Sequence, residues 1–277
     1  MINVSELNCI DESGTPAIAG ASFVIHRNDR IAVLSSSQER STILCHALAG
    51  ILHRTHPAHR IEGSVVFNDR KIEELDAHVR TESIAYVPPN SDLLISGVKD
   101  TVFGEIALSL ELTGTGPDII REKVSRILYR FSIEQLAGRD PDELSGGERH
   151  KVALASMLVR EPEVLILDNP TMFLDLTGVN NLLAILRSYD GTIILADPNP
   201  YIWASLVNRF IVVSGPDIAI IDSPRELIRA IDDGRIHADM PSWGELYISI
   251  RNRLHLPADV PVTHSLAALR TIAGALQ

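Results

Sequence analysis

Short apolar runs rich in β-branched residues alternate along the chain with longer stretches in which apolar side chains recur every three or four positions. The short runs predict strands, at residues 31–34, 64–67, 84–87, 164–167, 192–195 and 209–213. The longer stretches predict helices, at residues 41–53, 118–131, 147–159 and 176–188. Strands and helices that alternate in this way are typical of an α/β domain with a largely parallel sheet.

The pattern changes after the last predicted strand. Proline and glycine there separate shorter helical segments, at residues 224–233, 241–254 and 263–276. We therefore expect two regions, an α/β domain over residues 1–221 and a small helical extension over residues 222–277.

Charge and composition narrow the classes of partner. The 277 residues include 25 Lys and Arg against 36 Asp and Glu, a formal net charge of −11. So acidic a chain is not expected to bind nucleic acid through a broad basic surface. Two cysteines without metal-ligand spacing are consistent with a reducing cytoplasm. No apolar run approaches the ~20 residues that span a bilayer, and the amino terminus does not resemble a signal peptide. We therefore expect any membrane role to come through a partner.

The most specific signal is a series of three segments. Leu-Ser-Gly-Gly-Glu-Arg at residues 144–149 is followed by a helical run, by an apolar strand that ends at Asp168, and by Asn-Pro-Thr-Met-Phe-Leu-Asp at residues 169–175. In this order and spacing, the segments resemble the signature motif, the Walker B strand and the D-loop of ABC-type ATPases. The resemblance covers about residues 2–220. It implies a P-loop NTPase-like ABC ATPase fold with a mixed, largely parallel sheet and a helical subdomain at about residues 90–160.

The signature residues have chemistry that suits an anion. Ser145 offers a hydroxyl donor, Gly146 and Gly147 allow close backbone approach, and the helix start that follows favours negative charge. In ABC ATPases this motif contacts the γ-phosphate of ATP held by the opposite subunit of a head-to-tail dimer. The resemblance therefore implies that Ser145, Gly146, Gly147 and Glu148 bind nucleotide in trans.

The phosphate loop expected near residue 34 departs from the family pattern G-x-x-x-x-G-K-[ST]. Leu34 and Glu39 stand at the two glycine positions, Arg40 stands at the lysine, and only Ser41 and Thr42 match. A phosphate nest needs backbone conformations that glycine adopts cheaply. Glu39 would also add a like charge, which ~4 Å from a phosphate costs about 4 kcal/mol at an effective dielectric constant of ~20. These residues predict a vestigial loop, in which Ser41 would meet Mg²⁺ only together with a nucleotide.

Further departures fall on positions that serve the same nucleotide. The resemblance places Asn169 at the catalytic glutamate, Pro89 at the Q-loop glutamine and Pro198 at the H-loop histidine. An amide cannot take a proton from the attacking water, so a general-base contribution of typically 10²–10⁴-fold is absent. Asp168 remains where a Mg²⁺ ligand would sit, but an aspartate there can also anchor loops. We therefore expect no catalytic residue in the chain's own site, with ATP and Mg²⁺ at a partner's composite site.

Two further segments resemble the ATPases of energy-coupling-factor (ECF) and cobalt-type importers. Ser-Pro-Arg-Glu-Leu at residues 223–227 and the helical tail after it are similar to the carboxyl-terminal part of these proteins. Residues 90–104, with Val102, Phe103 and Gly104 in place, are similar to the segment that forms a groove for the coupling helix of the transmembrane subunit. The resemblance implies a catalytic ABC ATPase and a transmembrane subunit as partners, and a cytoplasmic, peripheral position on the inner face of the cell membrane.

Three functions are compatible with these residues. The first is a non-catalytic ABC subunit of an importer, which lends its signature motif to a catalytic partner. The second is a working ATPase whose unusual loop is rescued by partner groups, and the third is a regulatory protein that uses the fold outside transport.

Two smaller features also carry alternatives. Histidines at residues 53, 56 and 59 have helical spacing, but Pro57 interrupts the turn, which favours exposed loop side chains over a metal site. Asp92, Asp100 and Glu105 are either ordinary surface charge or contacts for a basic coupling helix.

Overall fold

The six strands predicted from the apolar runs are all present, and the structure describes four more. A computed structural model describes residues 1–233 and 243–254 of the chain. The strands are β1 Ile2–Ile10, β2 Pro16–Ile25, β3 Arg30–Ser35, β4 Arg60–Phe67, β5 Arg70–Lys71, β6 Ile84–Val87, β7 Val164–Asp168, β8 Thr192–Ala196, β9 Arg209–Ser214 and β10 Asp217–Ile221. The helices are α1 Gln38–Leu48, α2 Leu52–Thr55, α3 Ala77–Ser83, α4 Val102–Leu112, α5 Pro117–Phe131, α6 Gly146–Leu158, α7 Leu176–Arg187, α8 Pro224–Asp232 and α9 Trp243–Arg253. The helix predicted over residues 263–276 lies outside the described residues.

The chain divides into two units. The first holds residues 1–25 and 29–69 together with the described residues from 196 onward, and the second holds residues 26–28 and 70–195. The boundary expected between residues 221 and 222 stays a prediction.

The first unit contains two groups of paired strands. In one group β1 lies between β2 and β4 and runs antiparallel to both. In the other, β9 lies between β3, to which it is parallel, and β10, to which it is antiparallel. The pairing of β1 with β4 shifts register between Ser5 and Asn8, where Glu6 adopts a positive φ of 48°. A bulge of this kind lets both halves of β1 turn apolar side chains to the core.

The helix predicted over residues 41–53 is wrong in its bounds. α1 begins three residues earlier, at Gln38, because Ser37 acts as N-cap and its Oγ accepts the N–H of Arg40 at 3.3 Å. It ends at Leu48, and Gly50 then adopts a φ of +69°. A left-handed glycine ends a helix at low cost, and the last two predicted residues, 52 and 53, lie in the separate short helix α2.

The second unit has the strand order β8-β7-β6, with β6 and β7 parallel. Every residue of β7 is buried, which explains its continuous apolar sequence, because a parallel strand covered on both faces shows no alternation. α5 starts at Pro117 and buries the face that carries Val124, Ile127, Leu128 and Phe131. Among the described helices, none is both long enough and apolar enough to cross a membrane.

Candidate functional site

The predicted phosphate loop is short, since β3 ends at Ser35 and α1 begins at Gln38. Its hydroxyl groups bond to its own backbone. Ser37 N–H donates to Ser35 Oγ (3.1 Å), and Ser35 Oγ donates to the Ser37 carbonyl (3.0 Å). Arg40 N–H donates to Ser37 Oγ, and the Ser41 hydroxyl donates to the Ser37 carbonyl at 3.2 Å. The N–H groups of Ser37 and Arg40 therefore already have acceptors within the loop. The same holds for the hydroxyl of Ser41, the residue expected to meet Mg²⁺.

A phosphate nest also needs successive N–H groups that converge through alternating right- and left-handed backbone. In this fully described stretch, no residue from Leu34 to Thr42 has a positive φ. Leu34 is fully buried, so its side chain belongs to the core. Glu39 is exposed, and Arg40 is half-buried. The loop therefore lacks the left-handed backbone positions from which such a nest is built.

A cavity of about 150 Å³ lies beside this loop, and Pro198, at the predicted H-loop position, also lines it. The cavity is lined by Val33, Ser35, Ser36, Gln38, Ser41, Asp197 and Pro198. Asp197 is buried, and its Oδ1 accepts the N–H of Asn199 at 2.8 Å. Among the described lining residues none is cationic, and a buried carboxylate repels phosphate. The volume is also below the roughly 300–1,000 Å³ typical of ligand pockets. The described lining of this cavity therefore offers a phosphate no cationic side chain.

Asp168 ends β7 and is fully buried. The hydroxyl of Tyr86, on the parallel strand β6, donates to Asp168 Oδ2 at 3.1 Å. Asn169 follows with a φ of 51°, a left-handed conformation that asparagine adopts more readily than most residues. Pro89, at the predicted Q-loop position, lies two residues beyond the end of β6. Asp168 thus receives a hydrogen bond from the neighbouring strand, and its role as a Mg²⁺ ligand or as a loop anchor stays a prediction.

The signature motif forms the start of α6. Ser145 is the N-cap, and a capping box joins it to Glu148. The Ser145 hydroxyl and N–H both donate to Glu148 Oε2, at 2.7 and 2.9 Å, and these bonds hold the pKa of the Glu148 carboxyl below its ordinary value. Gly146 is exposed, and a Cβ there would meet no atom within 4 Å. A Cβ at Gly147 would lie 3.3 Å from the carbonyl oxygen of Phe173. Gly146 is therefore open to approach, whereas Gly147 sits against the chain's own backbone.

A contact between α6 and the segment after β7 was missed from the sequence. His150 is fully buried, and its Nε2 lies 2.8 Å from the carbonyl oxygen of Pro170. Its ring also meets that of Phe173 edge-on, with the ring centroids 5.8 Å apart. The sequence offers no signal for this contact, because the hydrogen-bond partner is a backbone carbonyl twenty residues away.

The predicted docking groove, residues 90–104, is anchored by hydrogen bonds to the buried carboxylate of Glu105. This side chain lies in the first turn of α4 and is only 3% exposed. Its two oxygens accept the N–H and the hydroxyl of Ser96, at 2.5 and 2.8 Å. The expectation that Glu105 is surface charge or a contact for a basic helix is therefore wrong. Leu93 and Val98, in contrast, are 77% and 71% exposed, so the segment presents apolar side chains outward.

Three histidines form a cluster, although not the three that spacing picks out. The ring centroids of His46 and His56 lie 5.3 Å apart, and those of His56 and His59 lie 4.8 Å apart. Thr55 Oγ1 lies 3.0 Å from His46 Nδ1 and 2.9 Å from His56 Nδ1. Within the described part of the chain, no group of three or more His, Cys, Asp or Glu side chains could hold a metal ion.

Acidification is expected to destabilise the fold through His46. Burial, and then the charge of His56, lowers the pKa of His46 to about 4 from 6.5. The stability that comes from neutral His46 is therefore complete above pH 6.5 and is lost as the pH falls toward 4. Between pH 7 and pH 5, we expect the free energy of unfolding to fall by about 1 kcal/mol more in the wild type than in His46→Gln. Urea titrations at both pH values measure this, and an equal fall in the two proteins would contradict it.

Comparison with known proteins places this geometry in a family. A family model described as ABC transporter matches residues 19–172. A putative ABC transporter ATP-binding protein, TTE0246, from Caldanaerobacter subterraneus is 30% identical over 217 residues, which cover 77% of this chain and 88% of that protein. Energy-coupling factor transporter ATP-binding protein EcfA2 from the same organism is 27% identical over 270 residues, which cover 94% of this chain and 92% of that protein.

A solved structure shares the fold. The structure of cbiO1 from Clostridium perfringens, described as part of the ABC transporter complex cbiONQ, aligns with a TM-score of 0.66 and 26% identity. The alignment covers 83% of this chain and 94% of that one. The order of signature helix, buried Asp168 strand and capped α7 agrees with this match. The chain belongs to the ABC transporter family and has the mixed α/β fold of an ABC ATPase cassette.

Proposed function

We propose that this chain is a non-catalytic ATPase-like subunit of a heteromeric ECF-type importer, and that its signature motif acts in trans on ATP held by a catalytic partner. Similarity to EcfA2 along 94% of the chain supports the ECF assignment. The proposal rests above all on one contrast. The phosphate loop has no left-handed residue, and backbone N–H groups in it donate to serine hydroxyls of the same loop. Gly146 at the signature, in contrast, is exposed and has open space around it.

In this proposal, the chain's own nucleotide site binds neither phosphate nor Mg²⁺. Ser41, the position of a Mg²⁺ ligand, donates its hydroxyl to the Ser37 carbonyl, and Asp168 accepts from Tyr86. Asn169 lacks the basicity to accept a proton from water. Hydrolysis therefore belongs to the partner's site, where ATP and Mg²⁺ bind and this chain contributes donors that stabilise the developing charge on the γ-phosphate.

A transmembrane coupling subunit is the second proposed partner, with its docking site near residues 90–104. Leu93 and Val98 supply exposed apolar contacts there, and the bonds from Ser96 to buried Glu105 keep the loop in shape. In such a complex the chain lies on the inner face of the cell membrane, without a membrane-spanning helix of its own among the residues described.

Gly146→Asp is the variant that tests the trans role. The complex is purified through a tag on this chain, and its ATP turnover is expected to fall roughly 100-fold or more, because a carboxylate then stands where the partner's γ-phosphate lies. The space around Gly146 lets the variant fold. Gly116→Asp is the matched control, since a Cβ at Gly116 also meets no atom within 4 Å. Gly116 precedes α5 and lies outside the signature motif.

Two results would contradict the proposal. Unchanged turnover in Gly146→Asp would mean that this signature completes no catalytic site. Steady ATP hydrolysis by the purified chain without any partner would mean that its own site works despite the altered loop.

A further inference from the structure

Two donors at the signature, the hydroxyl and the N–H of Ser145, are already bound within this chain. Glu148 Oε2 accepts both the hydroxyl and the N–H of Ser145, at 2.7 and 2.9 Å. A serine hydroxyl has a single hydrogen to donate. It therefore cannot serve Glu148 and a phosphate oxygen at the same time.

We propose that Glu148 is an autoinhibitory residue, which competes with the γ-phosphate of the partner's ATP for Ser145 and so raises the ATP concentration that the complex needs. This inference rests on the proposed trans function of the signature motif.

The charge of Glu148 works in the same direction as the geometry. Its side chain is 34% exposed, so it faces the surface on which a partner would close. The nearest cation of an ion pair, Arg139 Nη1, is 3.8 Å from Oε1, too far for a hydrogen bond. The carboxylate therefore makes no hydrogen bond to Arg139, and its negative charge repels a phosphate that approaches Ser145.

Closure on the partner's nucleotide then involves two changes. The Ser145 hydroxyl rotates from Glu148 Oε2 to a phosphate oxygen, and the carboxylate is left with the N–H of Ser145 beside a second negative charge. Both changes oppose binding at low ATP concentration. Neither affects the partner's catalytic groups once the complex has closed.

Glu148→Gln separates charge from structure. Glutamine at this position still completes a capping box with serine, so α6 keeps its N-cap while the negative charge is lost. In the tagged complex, we expect the ATP concentration for half-maximal turnover to fall about 5–10-fold, with the maximal rate changed by less than about two-fold. Glu143→Gln is the matched control, because Glu143 is exposed and its loss removes the same charge from the same region. It is expected to change neither quantity.

The outcomes distinguish this inference from the function on which it rests. If Gly146→Asp abolishes turnover while Glu148→Gln leaves the half-maximal ATP concentration unchanged or raises it, Glu148 is not a competitor and the trans function stands. An equal fall in Glu143→Gln would assign the effect to overall charge and overturn the specific role of Glu148. If Gly146→Asp has no effect, both proposals fail.

Discussion

Gly63→Ala is expected to lower the free energy of unfolding by about 4 kcal/mol. Gly63 lies in β4 opposite the bulge of β1 and has a φ of +86°. A Cβ there would lie 2.3 Å from the carbonyl oxygen of Glu6 and 2.6 Å from that of Ser5. These are backbone atoms held by strand pairing, so rotation of a flexible side chain cannot relieve the clash. The left-handed conformation adds a further cost of roughly 1–2 kcal/mol for any residue with a Cβ.

Gly14→Ala isolates the conformational part of that effect. Gly14 has a nearly identical φ of +85°, but a Cβ there meets nothing within 4 Å. This variant is expected to lose only about 1 kcal/mol. Urea titration followed by circular dichroism measures both variants. Equal losses for Gly63→Ala and Gly14→Ala would show that β1 and β4 separate easily, and that the close approach has no energetic consequence.

Arg209→Leu is expected to cost about 3–5 kcal/mol. Arg209 begins β9, is 13% exposed, and joins parts of the chain far apart in sequence. Its Nε and Nη2 donate to Asp222 Oδ1 at 2.9 and 2.7 Å, and its Nη1 donates to the Val24 carbonyl at 3.1 Å and to Asp29. Burial opposes the charge of the guanidinium, but the bonds to Asp222 and Asp29 outweigh it and raise the pKa of Arg209. Leucine would leave Asp29, only 12% exposed, without this cation.

Two variants make the test specific. Arg225→Leu removes an exposed arginine of the same unit and is expected to change stability by less than about 0.5 kcal/mol. Arg209→Lys keeps the charge but not the planar fork, so we expect an intermediate loss. A leucine variant as stable as the wild type would show that the buried ion pair contributes no net stability, as happens where apolar packing replaces such a pair well.

The strands of the second unit were predictable because a strand buried on both faces has a continuous apolar sequence. β6 was predicted with its observed bounds, and β7 differs from its prediction by one residue, Asp168. β1 was not predicted. Its buried residues are Ile2, Val4, Leu7 and Cys9, so the bulge at Glu6 breaks the alternation by which a half-buried strand is recognised. The bulge itself depends on β4, which supplies Gly63 opposite it.

The candidate site shows the same division. The signature motif was recognisable because its residues are consecutive in the chain, with Ser145 as the N-cap of α6. The sequence also showed that the phosphate loop departs from the family pattern, because residues 34 and 39 are not glycine. The sequence did not indicate that Ser37 and Ser41 would bond back to their own backbone, that Glu105 would be buried beneath residues 90–104, or that His150 would reach the Pro170 carbonyl.

The sequence alone indicated the family, the order of the six predicted strands and the positions at which the chain departs from the family's nucleotide motifs, because each follows from residues close together in the chain. Only the tertiary structure decided which polar groups are already engaged. The partners of Glu105 and His150 are fixed by how helices and loops pack, and a backbone carbonyl or a buried carboxylate has no signature in the amino-acid pattern. The capping box of Ser145 and Glu148, in contrast, is local to one helix start, and the structure adds that the Ser145 hydroxyl donates to Glu148.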